Sequence, residues 1–166
     1  MSHDHSNFEV CRQINALAGN TLQHNLETAK HQFKIISGEF NEMTDHINEG
    51  DLEKLRDDIA NVLFTTYGLA ARLGFPADQD FKEVCRSNFT KFDKTEEDAK
   101  LTKAKYLEIG IETYYVGRPR EDVLVYVTYS AKDQVGTDGK SYPKGKWLKS
   151  IHFEEPVFTP LQLEAV

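Results

Sequence analysis

The strongest constraint on this chain is a pair of long apolar repeats that run up to and away from Gly50. Before it, Leu26, Ala29, Phe33, Ile36, Phe40, Met43 and Ile47 recur at alternating steps of three and four, and after it Leu52, Leu55, Ile59, Val62, Thr66, Leu69 and Leu73 do the same. That spacing lines one stripe of an α-helix and does not suit a strand, whose side chains change face at every residue. It predicts helices over 26–48 and 52–73. Between them sits Asn48-Glu49-Gly50-Asp51, where Gly50 can take positive φ and Asp51 can cap the next helix. The two helices therefore form an antiparallel hairpin, which Gly74 and Pro76 bring to an end.

Helical periodicity extends over residues 8–110. A short first helix covers Phe8 to Ala18, with Phe8, Cys11, Ile14 and Leu17 in one stripe; a fourth covers 78–92 and a fifth 96–109. The pattern then changes, for residues 113–150 hold four of the ten glycines. Within them, Asp122-Val-Leu-Val-Tyr-Val-Thr-Tyr129 is rich in β-branched and aromatic residues, with Lys146-Trp-Leu-Lys149 as a pairing candidate. The expected class is all-α, a helical bundle built on the long hairpin with a small C-terminal β-hairpin appendix. Residues 1–110 form the helical domain, and 111–166 an extension and tail packed on it.

Composition narrows the function. With 166 residues, 28% charged and 39% hydrophobic, the chain is expected to be one soluble globular domain. A formal charge of -7 has the wrong sign for broad contact with a nucleic acid backbone, so no nucleic acid partner is expected. Nor is a membrane, since no run approaches the roughly 18 apolar residues of a span. Cys11 and Cys85 make no C-x-x-C pair, and Met1–Asn7 has no apolar signal core, which points to free thiols in a cytoplasm. His3 and His5 read as part of a solvated, frayed end.

Chemistry enters with a second stripe, offset from the apolar one on both long helices. It reads Gln32, Ile35, Glu39, Glu42, His46 and then Asp58, Asn61, Thr65, Gly68, Arg72. Glu39-x-x-Glu42 and Asp58-x-x-Asn61 each set two oxygen-bearing side chains on one helical face. Their heights match: Glu42 and Asp58 lie eight residues from Gly50, Glu39 and Asn61 eleven. At the helical rise both pairs sit roughly 12 to 16 Å from the turn, so four oxygen donors can converge. Carboxylates held together repel, and a hard divalent cation, chiefly Mg²⁺, is the simplest way to neutralise them. The competing reading is an ordinary solvated face, since residues 37–58 hold eight acids and two bases and Glu49, Glu53 and Asp57 read as plain surface.

A basic counterpart follows. Residues 82–105 carry seven Lys or Arg against five acids, and within them Arg86-Ser87-Asn88-x-x-Lys91 puts Asn88 and Lys91 on one face as candidate phosphate contacts.

In these three segments the chain resembles the MazG-like all-α nucleoside triphosphate pyrophosphohydrolases, whose signature is E-E-x-x-E followed, after a hairpin, by E-x-x-D. The matching residues are Gly38-Glu39-Phe40-Asn41-Glu42 and Asp58-Ile59-Ala60-Asn61, with Glu83-Val-Cys-Arg-Ser-Asn-Phe-Thr-Lys91 as the third family segment. Asp138-Gly-Lys140 and Lys144-Gly-Lys-Trp-Leu-Lys149 are similar to a tail of some phage-borne relatives. The resemblance implies a MazG-like bundle that hydrolyses a (d)NTP to monophosphate and pyrophosphate with two or three Mg²⁺, Mn²⁺ being able to substitute. It implies Glu39, Glu42, Asp58 and Asn61 as catalytic and metal-binding residues, Glu39 taking the proton from water. Arg86, Asn88 and Lys91 would meet phosphates, and Gln32, Phe33, His31 and Asn15 are base-binding candidates. A homodimer or homotetramer in the cytoplasm, a host's if the chain is phage-encoded, is implied as well.

The chain departs from the signature at Gly38, at Asp58 and above all at Asn61, which removes one negative charge where the family has aspartate. That should weaken metal affinity. It fits natural tuning, a degenerate enzyme, or a substitution made to trap a substrate, and it keeps open a catalytically silent nucleotide-binding or interaction module of the same fold.

Overall fold

Gly50 turns the chain at φ 73°, and Asp51 accepts the Lys54 backbone N–H with its carboxylate, so the reversal expected at this point forms. In the computed structural model, which describes residues 6–161, helix α2 spans Leu26–Glu49 and α3 Leu52–Leu73. Helix α1 (Asn7–Leu17) precedes them, with Ser6 capping it, and α4 (Ala77–Phe89) and α5 (Glu96–Glu108) follow. His3 and His5 lie outside the described residues. The chain is mostly helical, and no described helix is long and apolar enough to cross a membrane.

Strand β1 (Thr113–Arg120) pairs antiparallel with β2 (Val123–Ser130) in full register, from Thr113 opposite Ser130 to Arg120 opposite Val123. The partner of β2 is thus mainly β1, which sequence patterning did not single out. Gly117 and Pro119 disguise it, and both are tolerated because β1 is an edge strand. The Lys146–Leu148 segment does reach the end of β2, through Ser130 N–H to Lys146 O and Leu148 N–H to Thr128 O. Two short strands, β3 (Gln134–Val135) and β4 (Ser141–Tyr142), complete this part.

The described chain divides into two compact units. One contains residues up to Phe81 with the segment from Thr159 onward, the other Lys82–Phe158, the division falling within α4. In the second unit Tyr106, Ile111, Tyr142 and Leu148 form a small apolar core. It is extended by a polar clasp. Buried Asp93 accepts hydroxyl donors from Thr102 (3.0 Å) and Ser150 (2.5 Å), which in turn accept the backbone N–H groups of Ile151 and His152. Cys11 and Cys85 are both free.

In the first unit the apolar stripe of the hairpin is only partly buried, with Ala29, Met43, Leu55, Val62, Leu69 and Leu73 half-buried. Of the apolar stripe, Ile36 is buried, but Leu26, Phe33, Ile47 and Leu52 are 77%, 64%, 55% and 76% exposed, and Phe40 and Ile59 also face solvent. What packs between the helices is the offset polar stripe: Gln32, Asp58, Thr65 and Gly68 are buried, as is Asn15 of α1. Apolar periodicity reports which face leaves water, not whether its cover lies in the same chain.

Candidate functional site

Polar side chains in a helical seam must find partners or a ligand, because an unmet buried polar group is costly. Near the turn, Asp58 is only 3% exposed, and its Oδ2 lies 2.7 Å from His46 Nδ1. That hydrogen bond raises the His46 pKa, with burial opposing it, and it fixes the orientation of both groups. Glu39, one turn and more away on α2, is half-buried. Burial pushes its carboxyl above the usual range, and the negative charges of Glu42, Asp58 and Asp57 push it further. The charges of Glu42 on α2 and of Asp57 and Asp58 on α3 thus act on Glu39.

Asn61 is half-buried on α3, and its Nδ2 donates to Asp57 Oδ2 at 3.3 Å. Asp57 is exposed, as the surface reading expected, and is tied to Asn61 at the i, i+4 spacing that was visible in the sequence. His46 stood in the polar stripe without an assigned role; only the packing across the turn reveals its bond to Asp58. The donor set of Glu39, Glu42, Asp57, Asp58 and the Asn61 carbonyl is all hard oxygen, and the mutual repulsion that raises Glu39 is what a divalent cation would relieve. The chemistry fits Mg²⁺. Among the described residues no three His, Cys, Asp or Glu already stand as a metal-binding group.

Farther along the same seam, Gln32 Nε2 donates to Thr65 O at 3.1 Å, and Asn15 donates to Cys11 O and accepts from Asn20. Both amides close on Gly68, where a Cβ would come within 3.3 Å of Asn15 Nδ2 and 3.4 Å of Gln32 Nε2, a tight contact that a larger residue would make only by displacing these amides slightly. Arg72 completes this end. Its Nη1 reaches Gln32 Oε1 at a long 3.4 Å, its buried Nε has no partner, and no carboxylate pairs with it among the described residues. Gln32 and Asn15 are brought together; exposed Phe33 and His31 are not.

In the second unit Arg86 is already committed. Its guanidinium holds Glu83 by two bonds of 2.9 Å and Glu154 by one of 2.6 Å, and this holds the Glu83 carboxyl down to about 2. Asn88 and Lys91 are half-buried, and among the described residues their side chains have no hydrogen-bond or ionic partner. No family model matches this chain, and no curated protein matches it either.

Proposed function

We propose that the protein is a Mg²⁺-dependent nucleoside triphosphate pyrophosphohydrolase of MazG-like type, converting a (d)NTP and water to monophosphate and pyrophosphate. The observation that carries this reading is the Glu39 carboxyl, raised by burial and by the negative charges of Glu42, Asp58 and Asp57 on the two helices of the hairpin. Glu39, Glu42, Asp58 and the Asn61 carbonyl would hold the cations. Once bound, these supply phosphate neutralisation and a lower pKa for the attacking water. Glu39 would take the proton from that water. His46 keeps Asp58 from rotating. At the far end of the seam the resemblance makes Gln32 and Asn15 base-binding residues, although both amides are buried and hydrogen-bonded within the chain, and Arg72 has no carboxylate partner among the described residues. The resemblance gives Asn88 and Lys91 the phosphate contacts, and both keep free donors for them; Arg86 is spoken for by its two glutamates.

Assembly belongs to the same proposal. Phe33, Phe40 and Ile47 on α2, with Leu52, Ile59 and Leu63 on α3, leave an apolar surface that a second copy would cover, giving a homodimer or homotetramer in a cytoplasm. Sedimentation equilibrium tests this.

Activity is tested by incubating the protein with each (d)NTP and Mg²⁺ and resolving monophosphate from pyrophosphate. Glu42→Gln should abolish turnover and Mg²⁺ binding at this site; an unchanged Mg²⁺ titration would refute the assignment. The second reading, a silent nucleotide-binding module, is favoured by one feature. Asn61 spends its amide on Asp57 where a catalytic carboxylate is expected. Nucleotide binding without products would establish it.

A further inference from the structure

The charge of the chain is unevenly placed. Residues 82–158 hold 14 of the 20 Lys and Arg but only 13 of the 27 Asp and Glu, so the net negative charge belongs to the rest of the chain. Within this second unit a cavity of about 580 Å³ opens beside the β1–β2 ribbon, a size ordinary for small-molecule sites. Its lining is half apolar, from Phe89, Phe92 and Val125.

Several charged side chains around it already have partners: Arg86 faces two carboxylates, Glu83 and Glu154, and His152 Nε2 lies 3.2 Å from Asp98 Oδ1. Lys94 and Arg120 also line the cavity, and among the described residues neither has a carboxylate partner. Arg120 is nevertheless held in place, its guanidinium carbon 4.0 Å from the centre of the Phe89 ring. A stacked arginine keeps its planar fork of N–H donors free for an oxyanion. Phe92 lies edge-on to Phe89, and Trp147, the chain's single tryptophan, edge-on to Phe92, their centres 6.3 and 6.1 Å apart. A second cavity of about 470 Å³ adds Arg118 and Trp147 and shares Arg120 with the first. Glu121 lines only a smaller neighbour of about 290 Å³.

We propose that this cavity is a second small-molecule site, separate from the acidic seam, which takes a mononucleotide: a planar aromatic ring carrying a phosphate. Lys94 and Arg120, the two lining cations without a carboxylate partner, offer direct contacts to a phosphate monoester, whose charge is about -1.5 to -2 at neutral pH. The Arg120 fork suits bidentate contact, Lys94 adds a point charge, and Phe89 and Phe92 offer the ring an apolar face. This holds whether or not the acidic seam hydrolyses anything.

Trp147 supplies the readout. AMP is titrated into the full chain in EDTA, so that no divalent cation can recruit it to the acids, while tryptophan emission is followed at red-edge excitation and heat is measured by calorimetry. The expected result is saturable binding of AMP, with adenosine and inorganic phosphate each at least about ten-fold weaker, since each carries half of the recognised chemistry. Arg120→Gln and Lys94→Gln should each weaken AMP about ten-fold, Arg120→Lys less, and Lys103→Gln, at an exposed position outside the cavities, not at all. Circular dichroism of each variant confirms that it folds. The proposal is overturned by any of four results: no heat and no emission change with AMP, equal binding of AMP and adenosine, an effect of Lys103→Gln without one of Arg120→Gln, or a single-stranded oligonucleotide that binds more tightly than AMP through Arg120.

Discussion

Asn61→Asp tests the acidic seam directly. The change replaces the amide that donates to Asp57 across 3.3 Å with a second carboxylate. An attraction becomes a like-charge contact at close range. Two unit charges about 4 Å apart in water repel by about 1 kcal/mol, and the partly shielded site adds somewhat more. With the lost hydrogen bond, the variant should be about 1 to 2 kcal/mol less stable than the parent in EDTA. For a chain of this size each kcal/mol lowers the melting temperature by about 2 to 4 °C. The new charge also joins those that already raise Glu39, and pushes that carboxyl further in the same direction. Mg²⁺ should reverse the order. A ligand at a hundred times its Kd stabilises by about 2.7 kcal/mol, and the variant, with one more anionic oxygen, should reach that point at lower Mg²⁺ than the parent. Thermal melts in EDTA and across a Mg²⁺ series show both halves, and (d)NTP turnover should rise at least about ten-fold. The double variant Asp57→Asn, Asn61→Asp should recover the loss in EDTA. If Asn61→Asp melts with the parent in EDTA and responds to Mg²⁺ no more strongly, these side chains do not form one charge cluster and the metal assignment fails.

Two further outcomes bear on stability. Asp93→Ala orphans the Thr102 and Ser150 hydroxyls and should cost about 2 to 4 kcal/mol by urea denaturation, whereas Asp93→Asn, which keeps an acceptor, should cost far less. Burial raises the Asp93 carboxyl, against the opposing pull of Ser150 and Thr102. Its contribution is therefore full below the ordinary aspartate pKa and is lost as pH rises through the folded one, so acidification should shift the balance toward the parent and away from Asp93→Asn; a pH-independent difference would contradict this. Arg72→Met removes a half-buried cation with an unpartnered Nε, and should raise stability by about 1 kcal/mol while weakening nucleotide binding. A loss of both would make Arg72 structural.

Local signals carried much of the fold. α3 occupies the span that its apolar period and flanking Asp51 and Gly74 required, and α2 differs by one residue at its end. α4 stops at Phe89, three residues before the expected end, where Thr90, Lys91 and Phe92 fold back onto Ser87, Asn88 and Phe89 by short-range turn bonds. The influence of Glu42 and Asp58 on Glu39 was legible because residues at similar distances from a hairpin turn share a height. His46 and Asp57 were not, since their roles depend on rotation of each helix about its own axis, which spacing alone does not define.

That rotation also connects the site to assembly. A hairpin that turned Phe33, Phe40 and Ile47 inward would bury its apolar stripe and expose Asp58, Gln32 and Thr65, leaving no enclosed acids. The observed rotation does the opposite. It places Asp58 at 3% exposure beside His46, where its charge acts on Glu39 with little solvent screening, and leaves the large apolar side chains in water. At about 25 cal/mol per Å² of apolar surface, that exterior is the largest source of stability the first unit has not used. On the proposed reading, each copy encloses its own polar seam and the contact between copies supplies the apolar burial that the seam forgoes. Substitutions that separate the copies should then loosen the acidic cluster as well, although they touch none of its residues.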